Sequence, residues 1–287
     1  MRWRRGRGKG MIEDRRGEGS GSPLGELSRL GGSFRLPRSR GGSPLGIGSI
    51  LVFLLVAGVV WYLSSRGDDG SAPDPAEDEL ADFVGFVVED VQTFWQTDFV
   101  EAGRTYQVTK LVLFDGQTET ACGLGTEETG PFYCPGDRKV YIDLGFFREL
   151  AEGFGAPGDF AQAYVIAHEF GHHVQTLLGT ERRVREAQER SPGQANELSV
   201  RMELQADCLA GVWASSAQEE RLLEVGDLEE GLAAAASVGD DRIQRSAGER
   251  VDPETWTHGS AAQRKQWFTE GFEGGEVRSC DTFGASI

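Results

Sequence analysis

The run Ala167-His168-Glu169-Phe170-Gly171-His172-His173-Val174-Gln175 carries the spacing His-Glu-x-x-His. On an α-helix, residues four apart lie one above the other, so His168 and His172 can direct their imidazoles at a single point. That point suits zinc, which takes neutral imidazole at about 2.0–2.1 Å and, in a catalytic site, keeps one position open for a water whose pKa falls toward ~7. Glu169, next to the first of the pair, can take that water's proton and pass it to a leaving amine. The chain has only four histidines in 287 residues, so the spacing is rare by chance. Its flanks are those of a helix: Asp159 is the expected N-cap, Ala161, Tyr164, Val165, Ala167, Val174, Leu177 and Leu178 give apolar positions, and Gly179 ends it.

Two histidines do not complete a catalytic zinc site. A metzincin needs Gly three and His six residues beyond the second histidine, where this chain has Gln175 and Leu178. A glutamate ligand from a downstream helix is the remaining pattern, and Glu203-Leu204-Gln205-Ala206-Asp207 supplies it. Helical spacing puts Glu203 and Asp207 on one face, and the small Ala206, Ala210 and Gly211 would let that helix come close to the first. Glu203 is expected to bind the metal, and Asp207 to accept a hydrogen bond from the free ring nitrogen of a ligating histidine. Glu181, Glu186, Glu189 and Glu197 are not excluded by charge, but they lie among arginines in a stretch that reads as solvated surface. His173 projects about 100° away from His172 and is expected in the core or behind the ligands. His258, in Thr257-His258-Gly259-Ser260, could stabilise the oxyanion of a tetrahedral intermediate or cap the helix that follows.

The elements that must position these residues are unevenly charged. Residues 1–45 hold 11 Arg or Lys against 4 Asp or Glu, which leaves −24 for the rest of a chain whose total is −17. Rich in Gly, Arg and Ser, they read as a disordered basic cytoplasmic tail. Nucleic acid is an unfavoured partner for it, since anionic headgroups or topogenic charge account for such arginines more simply. Residues 46–64, with the uncharged run Ile47–Leu63 ending in Trp61-Tyr62-Leu63, are predicted to form one transmembrane helix, a cleaved signal peptide being the alternative. By the positive-inside rule the N-terminus is then cytoplasmic, and the catalytic domain lies outside the cytoplasm at the cell membrane. Residues 65–79 read as a linker and 80–287 as the zinc peptidase domain. All four cysteines fall in that domain. Cys122 with Cys134 would close a short loop, leaving Cys208 to pair with Cys280.

Within the domain, Leu80, Phe83, Val84, Val87, Val88, Val91, Phe94 and Trp95 recur at helical spacing and predict a core-facing helix. Lys110–Phe114 and Lys139–Leu144 read as strands, the second following a Cys134-Pro135-Gly136-Asp137 turn. That second strand is the expected sheet edge beside the active helix, where a substrate backbone could add as a further strand.

The chain resembles the bacterial neutral zinc metallopeptidase family in Ala121-Cys122-Gly123, Gly130-Pro131-Phe132-Tyr133-Cys134-Pro135, Val140-Tyr141-Ile142-Asp143 and Ala163 through Gln175. The resemblance continues through Glu203 to Gly211, Gly239-Asp240-Asp241, Thr257-His258-Gly259 with Gln263-Arg264, and Cys280-Asp281-Thr282-Phe283. It implies a membrane-anchored hydrolase with a zincin-like α+β fold, its active helix packed on a second, Glu-bearing helix and a small sheet, and with His168, His172 and Glu203 as ligands. The expected activity is hydrolysis of peptide bonds, with Zn2+ as cofactor and Glu169 and His258 as catalytic groups. Two other readings compete: a non-catalytic zinc-bound scaffold at the membrane, and a zinc amidase acting on cell-wall crosslinks. The intact Glu169 speaks against the first, because a structural site needs no general base.

Overall fold

The computed structural model of the chain describes residues 1–17 and 75–287. The predicted first helix is α1 (Pro75–Glu101), whose stripe of Phe83, Val84, Val87, Val88, Val91, Trp95 and Phe99 is buried. It starts ahead of Leu80, so residues 75–79 of the expected linker are helical. Proline's fixed φ suits a first helical position, and Glu77 and Asp78 lie where the helix dipole favours anions.

The sheet places β1 (Ile12–Asp14), β2 (Leu111–Phe114), β6 (Lys139–Asp143) and β5 (Phe132–Cys134) side by side in that order. β1 and β6 run parallel to β2, and β5 runs antiparallel to β6. Leu111, Leu113, Val140 and Ile142 face the main core, while Val112, Phe114 and Tyr141 pack with Cys134 and Phe132 on the opposite side. Burial of both faces is why these strands read as apolar runs rather than alternating ones. Separately, β3 (Gln117–Thr120) and β4 (Gly123–Thr126) form a hairpin. A disulfide from Cys122 to Cys134 ties that hairpin to β5. The expected edge strand is thus corrected: 139–143 is internal, and β5 forms the edge. Three residues running straight into a turn are too short to show a period, which hid β5 in the sequence.

Helices cover the sheet. These are α2 (Gly145–Glu152), α3 (Asp159–Leu178), α4 (Thr180–Arg190), α5 (Ala195–Glu219), α6 (Asp227–Ser237), α7 (Asp240–Ser246) and α8 (Ala261–Gly274). α5 packs against both α3 and α8, giving the expected α+β architecture. The α5–α8 contact is backbone to backbone: a Cβ on Gly211 would lie 2.1 Å from the Phe268 carbonyl oxygen, and one on Gly271 1.9 Å from that of Cys208. The second expected disulfide, Cys208–Cys280, ties α5 to the turn after α8.

The expectation of a disordered tail over 1–45 fails for residues 1–17. Ile12, Glu13 and Asp14 pair with Leu111, Val112 and Leu113 as strand β1. Trp3 packs edge-on to Phe83 at 5.5 Å. The basic residues that suggested a solvated tail meet the acidic domain: Arg5 pairs with Glu79 at 2.7 Å and Arg7 with Glu89 at 2.9 Å. A strand held mainly through its backbone needs little apolar sequence, so composition averaged over 45 residues could not reveal it. Among the described residues no helix is long and apolar enough to cross a membrane, and the predicted span 46–64 lies outside them.

Two outcomes follow from this packing. Because β1 and β2 share a sheet, residues 12–14 and 111–113 must lie on the same side of any bilayer. Single cysteines replacing Arg4 and Glu101 should therefore react with an impermeant maleimide from the same face in intact cells, and labelling from opposite faces would show β1 undocked. The second concerns Asp90, which accepts a hydrogen bond from Trp213 Nε1 at 2.8 Å between α1 and α5. Burial raises its carboxyl to about 6. The folded chain thus holds this proton more tightly than the unfolded one, and its contribution to stability is lost as pH rises from about 4 through 6. Asp90→Asn should melt a few degrees higher than wild type near pH ~8, the gap closing by pH ~4.

Candidate metal centre

α3 carries the His-Glu-x-x-His run. It ends at Gly179, in the left-handed region at φ 72°, but Asp159 is its first residue rather than its cap. The spacing brings the imidazoles of His168 and His172 together edge-on, with ring centroids 4.9 Å apart. Glu203 arrives from α5, with Oε2 3.2 Å from His168 Nε2 and Oε1 3.4 Å from His172 Nε2. The helices come this close because Gly171 faces Ala206: a Cβ there would sit 3.0 Å from the Ala206 carbonyl oxygen. Ala206 therefore plays the part expected of it, whereas Gly211 serves the α8 contact.

Both imidazoles are fixed from behind. Asp207 Oδ1 lies 2.8 Å from His168 Nδ1, and Gln175 Oε1 lies 2.9 Å from His172 Nδ1. Carboxylate and amide oxygens only accept, so each Nδ1 carries a proton and each Nε2 is the nitrogen turned toward Glu203, the one a metal would take. The Gln175 amide is in turn held by donating to Met202 O at 2.7 Å and Gln205 Oε1 at 3.2 Å. Gln205 donates to Cys280 O at 2.9 Å, linking His172 to the segment anchored by the second disulfide.

Charge at this point is concentrated. Burial opposes a charge on His168, yet the Asp207 carboxylate and the Glu203 carboxylate, which accepts a hydrogen bond from the protonated ring's Nε2, raise it to about 10. Burial likewise opposes a charge on Glu203, but the two imidazoles hold its carboxyl well below the usual carboxylate range. Two neutralisable nitrogens and a carboxylate oxygen, all within 4.8 Å of one another, fit a divalent ion of the zinc type. A second acidic group, Asp159, Asp227 and Glu230, also appears among the described residues. There the Met1 ammonium sits 2.9 Å from Asp159 and 3.1 Å from Asp227.

A cavity of about 460 Å³ opens over His168, Glu169, His172 and Glu203, walled by Pro131, Phe132 and Tyr133 on the β5 side and by Phe146 and Val165. His258 and Arg264 complete the lining. The His258 side chain is 50% exposed, with Nδ1 3.2 Å from Asp240 Oδ1. Hydrogen bonding to Asp240 raises this imidazole above its ordinary value. Asp240 Oδ2 also accepts from the backbone N–H groups of Thr257, His258 and Gly259 at 2.8, 2.7 and 2.9 Å. The cap of α8 is Ser260, in a capping box with Gln263, so His258 is not needed there.

His173 is 1% exposed and lies in the core. Its Nε2 donates to Gln107 O at 2.7 Å and its Nδ1 is 3.2 Å from the Tyr133 hydroxyl, so it pins β5 beside α3. Burial lowers it to about 4, keeping it neutral. Of the alternative acids, Glu186 and Glu197 pair with Arg182 and Arg201 at the surface, whereas Glu181, paired with Arg185, also lines the cavity without joining the three ligand atoms.

Three contributors escaped the sequence. Gln175 lies three residues after His172 on the same helix, a spacing that could have marked it. Asp240 and Arg264 come from elements far along the chain and leave no local signal. Arg264 directs Nε and Nη2 to the two oxygens of Asp207, each at 2.8 Å.

Among known proteins, YpfJ of Escherichia coli (strain K12), described as uncharacterized, is 46% identical over 297 residues, spanning 100% of both chains. Mb2605 of Mycobacterium bovis and Rv2575 of Mycobacterium tuberculosis (strain H37Rv), also described as uncharacterized, are 51% identical over 185 residues, 61% of this chain and 62% of theirs. No solved structure matches the chain. A family model described as "Putative neutral zinc metallopeptidase" matches residues 1–283, β1 included, and the chain belongs to that family.

Proposed function

We propose that this protein is a zinc metallopeptidase in which His168, His172 and Glu203 hold the ion and Glu169 is the general base. The observation that carries the reading is the convergence of two backed Nε2 atoms and one carboxylate at the floor of the cavity that Glu169 also lines. A zinc ion held there supplies Lewis-acid chemistry, polarising a carbonyl and acidifying water. Glu169 takes the proton of the attacking water and delivers it to the departing amine nitrogen. His258, oriented by Asp240, faces the same cavity and donates a hydrogen bond to the developing oxyanion. β5 offers its free edge to an extended peptide, and the apolar wall of Phe132, Phe146 and Val165 receives side chains.

The two disulfides support an oxidising compartment for the fold, N-terminal strand included. Membrane attachment is carried only by the sequence of residues 47–63, and the pairing of β1 with β2 speaks against a single crossing there with a cytoplasmic N-terminus.

Full-length protein loaded with zinc should cleave members of a diverse peptide library. Glu169→Gln should keep the metal but lose turnover by about 10²–10⁴-fold. Zinc binding without cleavage by wild type would instead support the scaffold reading. His258→Ala should lower kcat by about 10²-fold with KM little changed, and an unchanged kcat would remove His258 from the chemistry.

A further inference from the structure

We propose that Arg264 is a positioning residue of the metal centre, acting through Asp207 on the His168 imidazole. Arg264 is 3% exposed and Asp207 fully buried, so neither is a surface charge that happens to lie near the site. The guanidinium meets the carboxylate as a fork, Nε to Oδ2 and Nη2 to Oδ1, both at 2.8 Å. A fork of this kind fixes the plane of the carboxylate as well as its place. Oδ1 is the same oxygen that accepts from His168 Nδ1 at 2.8 Å and from the Tyr164 hydroxyl. The direction of the His168 ring, and with it the aim of Nε2 toward Glu203, therefore follows the plane that Arg264 sets.

The backbone supports this role. Arg264 stands in the first turn of α8, whose start is fixed by the Ser260–Gln263 capping box. The glycine contacts at Gly211 and Gly271 hold α8 against α5, the helix that carries Asp207 and Glu203. Two distances to one carboxylate thus depend on a helix that contributes no ligand. An arginine present only to neutralise Asp207 would need charge but not a fork. Lysine separates the two roles, since an ammonium neutralises the carboxylate but cannot span both oxygens in one plane.

The inference rests on His168, His172 and Glu203 being ligands, and the test keeps the two apart. Zinc affinity of the full chain is measured by chelator competition for wild type, R264K, D207N and the double variant, with the melting of each metal-free protein recorded. R264K should fold without metal yet bind zinc about 10–100-fold more weakly. Combined with D207N it should add little to the loss caused by D207N alone, because both act on one imidazole. Wild-type zinc affinity in R264K, or losses that add in full, would overturn the role. Should R264K not fold, R264Q, which keeps one neutral donor, is held to the same criteria. If neither folds without metal, the arginine belongs to the fold and the proposal fails. A wild type that binds no zinc at all rejects the ligand assignment itself.

Discussion

Three helices meet at one carboxylate that has no contact with water. Asp207 of α5 receives His168 and Tyr164 from α3 and Arg264 from α8. A buried charge is tolerated only when its oxygens are fully bonded, so the spacing of these helices is constrained by the need to satisfy it. Burial pushes the Asp207 carboxyl up, but Arg264 and His168 outweigh it and hold the carboxyl down in its ionised form. Glycines at 171, 211 and 271 give the approach that such short bonds require. Other residues would force the helices apart and leave the carboxylate short of partners.

The sheet supplies the other half of the cleft. Its inner strands β2 and β6 form an apolar support, and its edge strand β5 stands beside α3, fastened by the Cys122–Cys134 bridge and by His173 under Tyr133. Catalytic groups thus come from helices, while the wall along which a peptide could lie comes from a strand. The two are joined through a neutral histidine adjacent in sequence to His172.

What could be read in the sequence was whatever one helix repeats at its own period. His168, Glu169 and His172 announce themselves by spacing, and Glu203 with Asp207 repeats the logic on a second helix. The cysteine pairings followed from having two near and two far. Gln175 sat at a local helical spacing from His172 that went unused, whereas the roles of Asp240 and Arg264 were not legible, because their partners are set by how helices dock rather than by local pattern. β5 was too short to have a period. Residues 1–17 were misread because charges that suggest solvation in isolation become ion pairs against an acidic domain, as Arg5 and Arg7 do.

The N-terminal strand is in effect a ligand delivered by its own chain. Its parallel pairing with β2 is made within one chain, so the strand is always at hand in a way that a free peptide could match only at high concentration. Without it, β2 would present the bare backbone edge of Leu111, Val112 and Leu113, the kind of surface through which chains associate. A fragment trimmed to begin at α1 would retain every ligand of the metal centre and still be a different molecule in solution.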